Sequence, residues 1–374
     1  MKKNLLFCAA CALIVALGSC TNDVLDEVLD EVLDDSQQTE EPTRSPNDTR
    51  WLHAYVLCEG TWKAGNASIP GYIIKYDSLW NEISRTQVGD TGNALIKYGS
   101  KLYCAVSGNS LTADNGGIRV FNAGTGAALT SLIQYDDPKS GHKIMPRHLA
   151  AHGGKVYISL YSGAVMSIDT LVYAKQNSLS LAATYSEGIC VADDQVYVCN
   201  SGNANDTSAG SGNTISVLPL DLSEEDQLTV VSNPKLIKQA PDGTIYFNAL
   251  GNYTTESSAL YKLTTTGYSQ ITDQVGGFGI GADAVYTADI DWMSMDYDTH
   301  LKKVTFAGVV SQFNVSTLPD YMFGYSVSIN PYKGDVCIGQ SMGQDLNIFK
   351  SDGTGPTHTI ETGVANVNSV VFAN

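Results

Sequence analysis

A short apolar strand built around a tyrosine or its substitute recurs along the chain, and this repeat limits what the chain can fold into. It reads HAYVLCEG at Tyr55, KLYCAVSG at Tyr103, KVYISLYSG at Tyr157, QVYVCNSG at Tyr197, TIYFNALG at Tyr246, KKVTFAGV at Thr305 and GDVCIGQS at Val336. The spacings are 48, 54, 40, 49, 59 and 31 residues, a mean of about 47. An apolar strand precedes each anchor, as in NALIKYG, RHLAAHG, EGICVAD and KLIKQAP. Between the two strands lie short turns such as Gly99-Ser100, Gly153-Gly154, Asp193-Asp194 and Asp242-Gly243, the residues that tight hairpins need. A third strand follows in YIIKYD, GIRVFNA, AVMSIDT, TISVLPL, ALYKLTT and LNIFKSDG, and a weaker fourth strand often follows that.

Seven such units predict an all-β chain folded as a seven-bladed β-propeller. The ends predict how the ring closes. The last segment, GVANVNSVVFAN, reads as an inner strand with no strand after it, and WLHAYVLCEG has no inner strand before it. The C-terminal strand is therefore expected to join the first blade, which removes a free sheet edge. A β-solenoid is the rival, but its repeats are shorter and more regular.

The N-terminus reads as an address. Lys2 and Lys3 precede the apolar run 4–17, which has signal-peptide rather than membrane-spanning length. The run ends in Leu-Gly-Ser-Cys and resembles a lipobox, so residues 1–19 are expected to be removed and Cys20 to carry lipid; ordinary secretion is the alternative. Residues 20–50 form an acidic tether, with nine carboxylates and no base between residues 21 and 41. Its VLDE repeats allow a short amphipathic helix or a solvated, self-repelling spacer. An acidic segment just after a lipidated cysteine resembles the surface-export signals of Bacteroidota lipoproteins. The expected location is the outer membrane, facing outward, with residues 51–374 as the propeller.

Loss of Lys2 and Lys3 takes the formal charge from −17 to −19, and only 16% of residues are charged. That balance excludes a nucleic-acid binder with a basic surface. Five cysteines remain beyond Cys20: Cys58, Cys104, Cys190, Cys199 and Cys337. Each lies in or beside a β-rich stretch and reads as a small buried hydrophobe; Cys190 and Cys199 fit a disulfide only if their strands are adjacent.

No catalytic motif is present: no GxSxG, HExxH, GxxxxGK, or GxGxxG opening a helix. GGFGIG (276–281) reads as a glycine-rich loop. His142, His148 and His152 are close in sequence without a metal-site pattern, and the aspartates of TADIDWMSMDYD lack calcium-loop spacing. We expect no metal, no cofactor and no enzyme activity.

Binding is better supported. Loops joining second to third strands share a face with loops between blades, and both sets are rich in Asn, Ser, Asp and aromatics. The expected ligand contacts are Glu59, Trp62, Asn66, Asn109, Tyr135, Tyr161, Asn203, Asn252, Tyr253, Tyr286 and Tyr321. Phe278, Trp292, Phe323 and Tyr325 lie in the same loops, and Trp292 and Phe323 are expected to pack between blades.

Tyr55, Val56, Leu57, Glu59, Gly60, Asn66, Ala67, Ser68, Tyr76 and Asp77 form a pattern that resembles the first blade of a YncE-like propeller family of Bacteroidota lipoproteins. Ser328, Asn330, Pro331, Gly334 and Asp335 resemble its last-blade hairpin. Cys58, where Asn is usual, and a short third blade depart from it. The BtuG-like members capture cobalamin and pass it to a TonB-dependent transporter. The resemblance therefore implies a non-catalytic surface lipoprotein that binds cobalamin or a related corrinoid as ligand. A glycan- or protein-binding module is the alternative, and a propeller hydrolase the third.

Overall fold

The computed structural model describes residues 52–61, 69–110, 112–202, 212–252, 254–288, 301–312 and 324–374. The described residues contain strands and turns and no helix. They form seven antiparallel sheets, the blades of a β-propeller. Blade 1 holds β1 (His53–Cys58), β2 (Gly71–Asp77) and β3 (Glu82–Gly89); blade 2 holds β4 (Gly92–Tyr98), β5 (Lys101–Val106) and β6 (Gly117–Asn122). Blade 3 comprises β7 (Pro146–His152), β8 (Lys155–Leu160), β9 (Ala164–Asp169) and β10 (Lys175–Ser180). Blade 4 comprises β11 (Tyr185–Ala192), β12 (Gln195–Ser201), β13 (Asn213–Pro219) and β14 (Asp226–Thr229). Blade 5 comprises β15 (Pro234–Gln239), β16 (Ile245–Ala249), β17 (Ala259–Thr264) and β18 (Gly267–Asp273). Blade 6 comprises β19 (Gly277–Ile280), β20 (Ala284–Ala288), β21 (Lys302–Thr305) and β22 (Val310–Gln312). Blade 7 comprises β23 (Gly324–Ile329), β24 (Val336–Gln340), β25 (Asp345–Phe349) and β26 (His358–Glu361).

The last strand, β27 (Val367–Ala373), pairs with β1 from His53↔Ala373 to Leu57↔Ser369. It is the inner strand of blade 1, as the unpaired ends of the sequence predict. Through this one pairing both ends of the ring lose an exposed sheet edge together.

Two sequence expectations need correction. Thr305 is not the sixth anchor; it lies on β21, a third strand, and the anchor of blade 6 is Tyr286 on β20. GGFGIG is not a loop but supplies β19, the inner strand of that blade. Its glycines are there for close approach: a Cβ at Gly279 would sit 2.8 Å from the Val327 carbonyl of β23, and one at Gly277 would sit 3.1 Å from the Tyr325 carbonyl. The short third blade is a complete four-stranded sheet. Blade 2 has three strands, and residues 128–133 run along its outer side through bridges Phe121↔Ala128 and Ile118↔Ile133.

The recurring tyrosine has a mechanical role. Tyr55, Tyr103, Tyr157 and Tyr286 are buried on second strands, and each hydroxyl donates to a carbonyl of the next blade. The acceptors are Ala123 at 2.9 Å, Thr170 at 3.3 Å, Leu220 at 3.0 Å and Ser351 at 3.4 Å. Each ring fills the apolar space between two sheets, while its hydroxyl satisfies a carbonyl that burial would otherwise leave unpaired. The apolar core is divided accordingly between neighbouring blades; one cluster joins Tyr103, Ile118 and Val120 of blade 2 to Val156, Ile158 and Met166 of blade 3.

All five cysteines of the propeller are buried and free. Cys190 and Cys199 lie on adjacent strands, yet Cys190 faces Tyr197 and Cys199 faces Ile215 in the register.

Candidate functional site

The seven inner strands β27, β4, β7, β11, β15, β19 and β23 all contribute to the wall of a cavity of about 480 Å³ on the propeller axis. Six of them carry a register irregularity near their first residues. The residues left without a direct ladder partner are Asn93, Arg147 with His148, Glu187 with Gly188, Lys235, Tyr325 and Asn368. A bulge adds a residue to one strand and re-aims its side chain. Here the same device recurs in blade after blade, and Asn93, Arg147, His148, Gly188, Lys235, Tyr325 and Asn368 all line the cavity. Blade 6 is the exception: β19 pairs with β20 without a shift and presents Phe278 instead.

Glu59, the residue after β1, is held at this mouth. The Tyr325 hydroxyl donates to its Oε1 at 2.6 Å, and the Asn368 amide donates to the same atom at 2.7 Å. Burial pushes the Glu59 carboxyl up, against these two hydrogen bonds, which favour its ionised form. Burial likewise pushes the Tyr325 phenol well above its ordinary value, with the Glu59 charge adding to it, so the phenol remains the donor.

Arg147 makes a two-pronged pair with Glu187, Nη2 to Oε2 at 2.7 Å and Nε to Oε2 at 3.1 Å. Burial works against the Arg147 cation, but Glu187, together with Tyr325 and Glu59, leaves the guanidinium above its ordinary pKa. The guanidinium also lies 5.7 Å from the Tyr161 ring, which meets the Tyr185 ring edge-on at 5.1 Å. His148 stands beside the pair, Nε2 being 3.8 Å from Glu187. Burial lowers the His148 pKa well below its usual value, and Arg147, Lys235 and Lys238 lower it further, so the ring is neutral at pH 7. Lys235 lies 5.6 Å from the Tyr325 ring. Lys238 donates to the Phe278 carbonyl at 3.0 Å, and burial lowers its pKa to about 8.

The expected contacts divide sharply. Glu59 and Tyr161 are at the mouth. Asn109 donates to Asp90 at 2.8 Å and braces neighbouring loops. Asn252 spends its side chain on its own turn, accepting from the Thr254, Thr255 and Glu256 amides. Tyr135 packs against the core between blades 2 and 3 and donates to the Tyr173 carbonyl at 2.5 Å; burial pushes its phenol up to about 12. Tyr286 is corrected outright: it is an interior residue of β20, 1% exposed, and not part of a surface loop. Trp62, Asn66, Asn203, Tyr253 and Tyr321, with Trp292, Phe323 and the expected lipidation residue Cys20, lie outside the described residues.

The channel residues missed by the sequence reading are Asn93, Arg147, Glu187, Lys235, Lys238 and Asn368. One signal was present for all but Lys238, since the other five stand within the first three residues of an inner strand, just after Gly, Pro, Ser or Val. The three histidines are scattered: His142 lies 3.4 Å from Asp114, His148 is in the channel, and His152 lies 3.8 Å from Asp194. Among the described residues no group of His, Cys, Asp or Glu is arranged to hold a metal ion.

The fold and site define a seven-bladed propeller with a polar, mixed-charge well on its axis. The chain matches no family model and no curated protein. Among solved structures it is similar to a protein from Lactobacillus plantarum, at TM-score 0.57 and 15% identity over 87% of this chain and 100% of that one. It is also similar to Citrobacter koseri AztD, at TM-score 0.52 and 10% identity over 87% and 98% of the two chains. The WD40 repeats of RRP9 give TM-score 0.53 and 12% identity over 81% and 88%. At these identities the likeness establishes the fold alone.

Proposed function

We propose that this protein is a non-catalytic, surface-anchored capture protein that binds cobalamin or a related corrinoid at the propeller mouth and passes it to a TonB-dependent transporter. The observation that carries this reading is the convergence of bulged inner-strand residues on one mouth. Asn93, Asn368 and Tyr325 offer neutral donors and acceptors, Glu59 an acceptor, and Arg147 a fixed donor fork. A corrinoid presents amide arms around a flat apolar macrocycle. A well of about 480 Å³ suits an arm, and the macrocycle would lie across the opening, where Tyr161 and Tyr185 provide ring surface. The lipobox at Cys20 and the acidic tether support the location, and the first-blade pattern supports the ligand class.

The experiment is calorimetric titration of the purified protein with cyanocobalamin. Saturable one-to-one heat supports the reading; no heat with folded protein rejects it.

A further inference from the structure

Three lysines of this fold each place Nζ on two or three oxygens, whereas Lys238 has one. Lys75 Nζ donates to the carbonyls of Gly124 and Thr125 at 2.7 and 3.2 Å. Lys139 Nζ reaches three carbonyls, those of Gly163, Leu181 and Ala183, at 3.3, 2.9 and 2.5 Å. Lys302 Nζ takes the Asp273 carbonyl at 2.6 Å and its carboxylate at 3.3 Å. Lys238 lines the axial cavity and has a single hydrogen bond, to the Phe278 carbonyl at 3.0 Å, with the Phe278 ring centre 5.4 Å away. Among the described residues no carboxylate forms an ion pair with it.

An ammonium carries three donors, and a charge withdrawn from bulk water is costly unless it is paired. The rest of the channel does not supply the missing charge. Glu187 is engaged by Arg147, and Glu59 is held by Tyr325 and Asn368. Arg147, Lys235 and Lys238 all line the same cavity as His148, so three cations share one channel wall. The chain as a whole is strongly acidic, with formal charge −17, so this local positive field stands against its surroundings.

We propose that Lys238, inside the axial channel, is the anchor of a binding subsite for an oxyanion, the carboxylate or phosphate group of a ligand that enters from the mouth. This rests on the reading of the channel as a ligand site and does not require that ligand to be a corrinoid. The oxyanion would take the ammonium protons that Phe278 leaves unused, while Lys235 and Arg147 add attraction from nearer the mouth.

The test is calorimetric titration of the purified protein with inorganic phosphate and, separately, with acetate at pH 7. Saturable binding of either ion is expected, and which one binds tells phosphate from carboxylate. Lys238→Met should weaken that binding by about tenfold or more, and Lys238→Arg should keep most of it. Failure of both ions to bind, or an unchanged affinity in a folded Lys238→Met protein, overturns the subsite. Should Lys238→Met not fold, crystals of the unaltered protein soaked in selenate decide the matter: an anomalous peak beside Nζ is expected, and an empty channel overturns the proposal. Titration of the same samples with cyanocobalamin separates the two readings. Heat with cyanocobalamin but none with either ion removes the oxyanion subsite alone; heat with an ion but none with cyanocobalamin removes the corrinoid reading alone.

Discussion

The Tyr325 hydroxyl donates to Glu59 Oε1 at 2.6 Å and so ties the inner strand of blade 7 to the end of the second strand of blade 1. The two residues are 266 positions apart, and the Asn368 amide of the ring-closing strand meets the same oxygen. The site's acceptor and the closure of the ring thus share one set of hydrogen bonds. Tyr325→Phe should lower stability by about 1–3 kcal/mol, because a buried carboxyl loses a charge-assisted partner. Glu59→Gln should recover part of that loss in the double variant. Thermal melts of the two single variants and the double form a cycle, and strict additivity would show that the two side chains are not coupled.

The latch tyrosines give a second expectation. Tyr55→Phe leaves the buried Ala123 carbonyl without its donor and should cost about 1 kcal/mol. Tyr286→Phe should cost less, since its bond to Ser351 is longer, at 3.4 Å. Neither should change ligand affinity, because both sit between blades rather than in the channel. Melting temperature and cyanocobalamin titration measured on the same preparations check both halves.

A pH dependence follows from Lys238. Its folded pKa is about 8, lowered by burial from an ordinary 10.5. Between these values the unfolded chain holds a proton that the folded one has released, so this group makes stability rise with pH through that window. Below about pH 8 both states are protonated and the full cost of the buried charge is present. Lys238→Met should therefore be more stable than the unaltered protein at pH 7 by up to about 3 kcal/mol, and the gap should close towards pH 10.5. Arg147, His148, Glu187, Lys235, Tyr325 and Glu59 also face the channel, so the comparison must be this difference between proteins, measured by urea unfolding across pH. Oxyanion binding should fall as pH rises above 8.

The five propeller thiols should be inert in the folded protein. Burial pushes Cys104 and Cys190 up to about 12 and Cys58 up to about 11, so almost no thiolate is present at neutral pH. A thiol reagent such as dithionitrobenzoate should report no reaction from these five until denaturant is added, and rapid labelling of the native protein would contradict this.

The ring, its closure by the last strand and six of the seven anchors were legible because each rests on local pattern: apolar alternation, tight-turn residues and a tyrosine at a fixed place. Blade 6 was misread for a physical reason. Its inner strand is GFGI, where close approach to β23 demands glycines, so it carries a loop's composition while behaving as a strand. Tyr286 was then assigned to a surface when it is an anchor. The site was less legible. Glu59 and Tyr161 follow from their place after second strands. Arg147, Glu187 and Lys235 do not stand out as a motif, because what gathers them is bulges on successive inner strands, and a bulge is a property of pairing rather than of sequence; Lys238 lies further along β15 in regular pairing. Asn252 looked like a ligand contact for the same reason that it is a turn former, a short amide side chain in a polar loop.

The central claim is that the axial mouth is a ligand site, and calorimetry with cyanocobalamin on the unaltered protein and on Arg147→Met tests it most directly. The account predicts saturable one-to-one heat that weakens by about tenfold or more in the variant, with the fold retained by circular dichroism. No heat from the folded protein, or equal affinity in the two, would contradict it.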